Sequence, residues 1–313
     1  MRPTIAAKIR CGHAPGLAAA AARPGREGGI GIAPLRLRLF QAADGTRVAY
    51  RESGVGPGLV LLHSAGLSHR EFEPVVEHLT HRFRLILPDL PLHGDSEDRP
   101  RHPYTLDWFA EVMAAFCIDT AGPRPIVGGH GAGAQVLLRA VASGFLHPAR
   151  LVIMPTRLHR PPQHPARRDL VRAVARAGSV PGLDRAIAHA AKLAVRPDRG
   201  MRLTVRNNPA ARDLVRHAMS DVGGNPNLAR SWARAARAWP GGAQRTVLDQ
   251  LPGLDMPVLL LWADEDGAHP LGEAREALDL LPAGQLRVLP GTGYLIAYDD
   301  AVGVARELVA FCG

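Results

Sequence analysis

Lysine is nearly missing from this 313-residue chain: it stands only at Lys8 and Lys192, so arginine carries the positive charge. Cysteine is scarce and odd in number, with three residues at Cys11, Cys117 and Cys312. No Cys-x-x-Cys and no paired Cys/His cluster occurs, which argues against a disulfide framework or a zinc site and makes a reducing cytoplasm the simplest home. Aromatics make up 5% and no recognised nucleic-acid module is present, so nucleic acid is a poor partner. No apolar run is long enough to cross a membrane. Leu17 to Ala22 is shorter than the roughly 7–15 residues of a secretory h-region, so export is not expected. There is no internal repeat, and neither a metal nor a cofactor is expected.

What remains is a globular composition, 46% hydrophobic and 21% charged. The net charge of +9 is unevenly spread. Residues 156–245 hold 18 Lys+Arg against 5 Asp+Glu, or +13, leaving 20 against 24, or −4, elsewhere. A coding bias turns lysine into arginine but does not strip acids from one segment. That segment therefore points to an anionic partner, a carboxylate or phosphate ligand or an acidic carrier protein, the alternative being a solvated face of amphipathic helices.

Residues 1–34 mix Pro, Gly and Ala with basic side chains and show no period, and they read as a disordered basic extension. From Leu35 the pattern is regular. Leu35 to Leu39 and Arg47 to Arg51 flank Asp44-Gly45 as a β-hairpin. Short apolar runs then alternate with helical stretches: Leu59 to His63 is a strand, Phe72 to Leu79 a helix, Phe83 to Pro88 a strand, Leu106 to Asp119 a helix. Pro125 to Val127 and Leu151 to Met154 are further strands on either side of a helix through Ser143. Residues 156–245 have no strand-like run and read as inserted helices, such as Asp169 to Ala177, Leu183 to Val195 and Asn227 to Ala238. Strands return at Pro257 to Trp262 and Gln285 to Leu289, followed by a last helix from Ala301 to Phe311.

The centre of this pattern is Val127-Gly128-Gly129-His130-Gly131-Ala132-Gly133, a glycine-dense turn between a strand and a helix. In a nucleophile elbow, Gly-x-nucleophile-x-Gly, the middle residue projects its side chain from that turn. Here the middle residue is Gly131, which has none.

Four further stretches fall in order around it. Leu61-Leu62-His63-Ser64-Ala65-Gly66 resembles an oxyanion loop, and Asp89-Leu90-Pro91-Leu92-His93-Gly94-Asp95-Ser96 resembles an Asp-x-Pro-Gly-x-Gly-x-Ser turn. Leu260-Leu261-Trp262-Ala263-Asp264-Glu265-Asp266 resembles the strand end carrying a triad acid, at Asp266. Pro290-Gly291-Thr292-Gly293-Tyr294 resembles the loop carrying a triad histidine, with Tyr294 in its place. From Leu35 to Phe311 the chain thus resembles an α/β-hydrolase, which implies a mostly parallel sheet flanked by helices. The core would be 35–155 and 246–313, with a helical cap at 156–245.

The resemblance implies a degenerate triad in which only the acid is kept, so Ser-His-Asp hydrolysis through these positions is closed. The backbone N–H groups of Ala65 and Ala132 would still form an oxyanion hole. Asp266 would act as a general base or accept a hydrogen bond from Tyr294, whose phenol, with an ordinary pKa of about 10, suits an acid or orienting role. Gly131 would leave room for a ligand. His130 and His63 would be structural, and Ser64, His93 and Tyr298 are the remaining polar groups near the mouth.

Three functions follow. The first is a non-hydrolytic enzyme of specialised, polyketide-like metabolism using acid/base and oxyanion chemistry for cyclisation, lyase, isomerase or carbon–carbon bond reactions. The second is a catalytically silent protein that binds a ligand or partner. The third is a hydrolase with a displaced nucleophile such as Ser64. In each, the partner is a small molecule, anionic or delivered by a carrier protein.

Overall fold

The computed structural model describes residues 34–99, 101–158, 173, 202–219, 226–238 and 247–313. The extension expected at 1–34 lies outside the described residues but for its last residue. The helix expected at 183–195 lies outside them altogether, as does that at 169–177 except for residue 173.

The apolar runs pair into one eight-stranded sheet of order β1-β2-β4-β3-β5-β6-β7-β8. Its strands are β1 (Arg36–Gln41), β2 (Arg47–Ser53), β3 (Gly58–Leu62), β4 (Arg84–Pro88), β5 (Ile126–Gly129), β6 (Arg150–Ile153), β7 (Val258–Ala263) and β8 (Gly284–Leu289). β1 and β2 are antiparallel, and from β4 to β8 all pairings are parallel. Parallel strands must be covered on both faces, and β3, β5, β6 and β7 are accordingly made mostly of buried aliphatic residues and glycine, with Trp262 in β7 and the half-buried Arg150 opening β6.

Alternation along these strands divides the core into two layers. Val60, Leu62, Ile86, Val127, Ile153 and Leu260 face the helices α2 (Leu106–Ala121) and α3 (Ala132–Ala142), where Phe109, Phe116 and Leu137 meet them. Their neighbours Leu59, Leu61, Leu85, Leu87 and Leu261 face Phe72 and Leu79 on one side and Val304, Leu308 and Phe311 of the last helix on the other. Each such leucine, removed wholly from water, contributes on the order of 2 kcal/mol before entropy is counted.

The stretch expected as a helix over 72–79 is instead a 3-10 turn, His69–Val75, continued by the single α-turn α1 (Val76–Leu79). Pro74 accounts for this: it has no N–H to give and its ring crowds the preceding turn. Beyond β6, helices α4 (Pro209–Met219) and α5 (Pro226–Ala238) are described. Ala211, Leu214 and Val215 of α4 pack on Leu67 and Leu295, with Tyr294 and Tyr298 at the margin, so α4 lies over the ends of the strands that carry the motifs. The remaining helices are α6 (Leu271–Leu280), α7 (Ile296–Asp299) and α8 (Ala301–Cys312).

Candidate functional site

The β5–α3 turn reverses the chain at Gly131, whose φ of 51° and ψ of −114° are strained for a residue with a Cβ. Gly133 is needed for a different reason: a Cβ there would stand 2.3 Å from the carbonyl oxygen of Leu62. The turn is pinned on its far side, where Gly131 N–H donates to Pro155 O at 3.0 Å and Thr156 Oγ1 donates to Gly131 O at 2.8 Å. The N–H of Ala132, first residue of α3, has no acceptor within its own helix and sits at the positive end of the helix dipole.

The room expected beside Gly131 is not there. A Cβ on Gly131 would lie 2.2 Å from Ser64 Oγ and 2.3 Å from the Tyr294 hydroxyl. These two hydroxyls are hydrogen-bonded to each other and fill the direction in which an elbow side chain points. Burial raises the Tyr294 pKa above the ordinary phenol value, so the oxygen facing Ser64 is an acid and not a base. Ser64 itself is 4% exposed.

Around this pair runs a carboxylate that the sequence does not advertise. Glu71, in the 3-10 turn, is 2% exposed, accepts from Ser64 N–H through Oε2 at 2.7 Å, and holds His130 Nδ1 through Oε1. One carboxylate thereby ties the oxyanion loop to the elbow. The His130 ring packs 4.2 Å from the Tyr294 ring, and its Nε2 is buried with no hydrogen-bond partner among the described residues.

His63 is held on both nitrogens: Nδ1–H donates to Ser64 O at 2.7 Å and Nε2 accepts from Leu90 N–H at 2.9 Å. Both contacts suit the neutral ring, and desolvation lowers its pKa. His93 is buried between the His63 ring and Trp232 of α5, at 5.1 Å and 4.9 Å, and its pKa falls to about 3 through burial and then the nearby His63. Asp89 closes the turn beneath them, accepting from His69 N–H at 2.7 Å and Asp95 N–H at 3.0 Å. Burial pushes its carboxyl up, but His69 outweighs this and the pKa settles at about 2.

Asp266 stands in the loop after β7, yet its partner is not Tyr294. Oδ2 accepts from His269 Nδ1 at 2.7 Å and Oδ1 from Ala268 N–H at 2.8 Å. Burial raises the Asp266 pKa, the His269 hydrogen bond and charge lower it, and the net shift is downward. His269 stacks on the Tyr294 ring at 5.0 Å with the planes 21° apart. An open cleft of about 450 Å³ is lined by Arg202, Thr204, Glu265, Asp266, His269 and Tyr294, among others. Tyr298 is turned away from it, donating its hydroxyl to Arg70 O at 2.9 Å.

The site therefore gathers Ser64, His130, Gly131 and Tyr294 on one side and Asp266 on the other, while His63, His93 and Tyr298 brace the loops. Glu71 and His269 are the residues that sequence reasoning missed. Asp-x-x-His directly after a strand was a readable signal for His269, whereas Glu71 carries none. Asp299 was missed too: it accepts from Gly293 N–H at 2.8 Å and Val205 N–H at 3.0 Å, fastening the segment beside α4 to the Tyr294 loop. Among the described residues, no cluster suited to a metal ion is present and no helix is long and apolar enough to cross a membrane.

Known proteins resemble this chain in sequence and fold. An uncharacterized protein of Mycobacterium tuberculosis is 27% identical over 280 residues, spanning 86% of this chain and 79% of its own. A pimeloyl-[acyl-carrier protein] methyl ester esterase of Vibrio vulnificus is 26% identical over 270 residues, 86% of this chain and 99% of its own. The crystal structure of an alpha/beta hydrolase fold protein from Burkholderia ambifaria superposes with a TM-score of 0.71 over 90% of this chain and 99% of that one, at 22% identity. Residues 59–307 match the model of the alpha/beta hydrolase family, and with the strand order, the elbow and the loops around it this establishes that the chain belongs to that family.

Proposed function

We propose that this chain is a non-hydrolytic enzyme on the α/β-hydrolase scaffold, performing acid/base chemistry on a small molecule. One observation carries the proposal: the place of the elbow side chain is held by the Ser64 and Tyr294 hydroxyls, so there is neither a nucleophile nor space for one. A triad hydrolase needs an oxygen, a base within hydrogen-bond reach and an open path for the acyl carbon. Here the oxygen nearest the turn is Ser64 Oγ, and its partner is a phenol whose acidity is weakened by burial. Among the described residues, the hydrogen-bond partner of Ser64 Oγ is thus an acid, which speaks against hydrolysis by Ser64.

The parts that remain suit proton transfer with charge stabilisation. Asp266 and Tyr294 border the cleft, and the N–H groups of Ala65 and Ala132 belong to the loop and helix end that stabilise an oxyanion in this fold. Such a set serves a cyclisation, lyase, isomerase or carbon–carbon bond reaction, and the reading assigns it a polyketide-like substrate in a cytoplasmic setting. The excess of arginine in 156–245 and the acyl-carrier substrate named for the Vibrio esterase support an anionic or carrier-delivered molecule.

The test is a pair of measurements on the purified chain. No labelling by a serine-directed fluorophosphonate is expected, and mass spectrometry of co-purifying small molecules supplies a substrate whose turnover Asp266→Asn and Tyr294→Phe should each lower. Labelling of Ser64, or unchanged turnover in both variants, overturns the proposal. The closed elbow also favours a second reading, a silent binding protein, which predicts that the bound molecule is returned chemically unchanged.

A further inference from the structure

The acid/base reading leaves the proton acceptor unassigned. Tyr294 is a weakened acid, and both Asp266 oxygens are engaged. The engagement itself identifies the acceptor. An imidazole that donates Nδ1–H to a carboxylate carries its lone pair on Nε2. Asp266 at 2.7 Å sets that tautomer for His269, while the Trp262 indole N–H on its backbone carbonyl at 2.8 Å and the stacked Tyr294 ring hold the residue in place. It also lines the cleft.

We infer that His269 is the general base of this site and Asp266 its positioning residue. The substrate is a small molecule in the 450 Å³ cleft that offers a carbonyl-activated C–H or a hydroxyl proton. The histidine expected after β8 has in effect been replaced by one in the loop after β7, where the acid already stands. This rests on the acid/base reading above.

The step balances without a co-reactant. Nε2 takes the proton and the ring becomes an imidazolium beside the Asp266 carboxylate, while the electron pair stays on the substrate as an enolate or alkoxide. In an isomerisation the proton returns to a different substrate atom, and in an elimination it leaves with the departing group. The titratable and charged groups that line the cleft with the imidazole are Asp266, Glu265, Arg202 and Tyr294, with His130 against the same tyrosine ring. His130 has a similar carboxylate but an Nε2 sealed from the cleft, so it serves as the internal control.

The experiment needs no substrate. Long-range proton–nitrogen NMR of the labelled full chain, assigned by difference with His269→Gln, should show His269 as the Nδ1–H form. Diethyl pyrocarbonate with site-resolved mass spectrometry, from about pH 5.5 to 8, should modify His269 at least about fivefold faster than His130. Asp266→Asn should let the ring populate the Nε2–H form in the same proton–nitrogen spectra, a change that an aspartate serving only to cap the Ala268 N–H would not cause. An Nε2–H form in the unmodified chain, or His269 reacting no faster than His130, overturns the inference. Failure of the acid/base reading would show separately, as fluorophosphonate labelling of the unmodified chain.

Discussion

Two carboxylate–imidazole pairs touch the same tyrosine and differ in what surrounds them. Glu71 and His130 are 2% and 1% exposed, and the second oxygen of Glu71 is spent on the Ser64 N–H. Asp266 and His269 are each 7% exposed, and both border the cleft. The same chemistry thus does two jobs: sealed from water, a pair fixes the backbone of the oxyanion loop against the elbow, while beside a cleft it presents a base. Access, more than pairing, separates a structural histidine from a reactive one.

The largest test of that contrast is Glu71→Ala. It strands His130 and the Ser64 N–H in the interior, and breaking such a buried pair should cost about 3–5 kcal/mol, read from urea unfolding. A cost under about 1 kcal/mol would remove the sealed pair from its structural role.

His93 sharpens the comparison, because its ring, in a residue 8% exposed, has a backbone carbonyl in place of a carboxylate on Nδ1, at 3.0 Å. Its folded pKa of about 3 lies below the ordinary 6.5, so the unfolded chain binds a proton that the folded chain refuses. Stability should therefore fall as the pH drops from about 6.5 towards 3, by on the order of 3 kcal/mol at pH 4. His93→Gln should flatten that part of the profile, with the Trp232 fluorescence beside the ring as the reporter.

Gly131→Ala examines the space at the elbow, near both pairs. The positive φ and the Ser64 and Tyr294 hydroxyls at 2.2 and 2.3 Å both oppose a Cβ, and a loss of about 2 kcal/mol in thermal or chemical unfolding is expected. The smallest effect belongs to Asp266→Asn. The amide keeps an oxygen for the Ala268 N–H, and a loss near 1 kcal/mol should appear in the same assay. A loss equal to that of Glu71→Ala would collapse the distinction between the pairs.

Much of the fold was legible because its causes are local. Runs such as Leu59–Val60–Leu61–Leu62, short and bounded by turn residues, read as strands buried on both faces, and the glycines of the elbow mark a turn where the helix backs onto Leu62. The 3-10 turn at His69–Val75 departed from the periodicity reading because one proline overrode it. At the site the sequence showed what Gly131 lacks but not what fills the gap, since Ser64 and Tyr294 are 230 residues apart and meet only through the sheet order. Glu71 and His130, 59 residues apart, are hidden for the same reason. His269 was within reach of a reading of the sequence, three residues from an acid in a loop already singled out.

The filled elbow also constrains the order in which this protein could change. A serine placed at position 131 meets Ser64 Oγ, the Tyr294 hydroxyl and, at 2.9 Å, Ser64 Cβ, so the substitution that would put a nucleophile there is opposed before any chemistry can reward it. Ser64 Oγ can rotate aside, but the phenol is held by packed rings, and a smaller residue at 294 has to come first. Placing a nucleophile on this elbow is thus a path of at least two steps whose first step brings no nucleophile, and any library built to introduce one there must vary positions 64, 131 and 294 together.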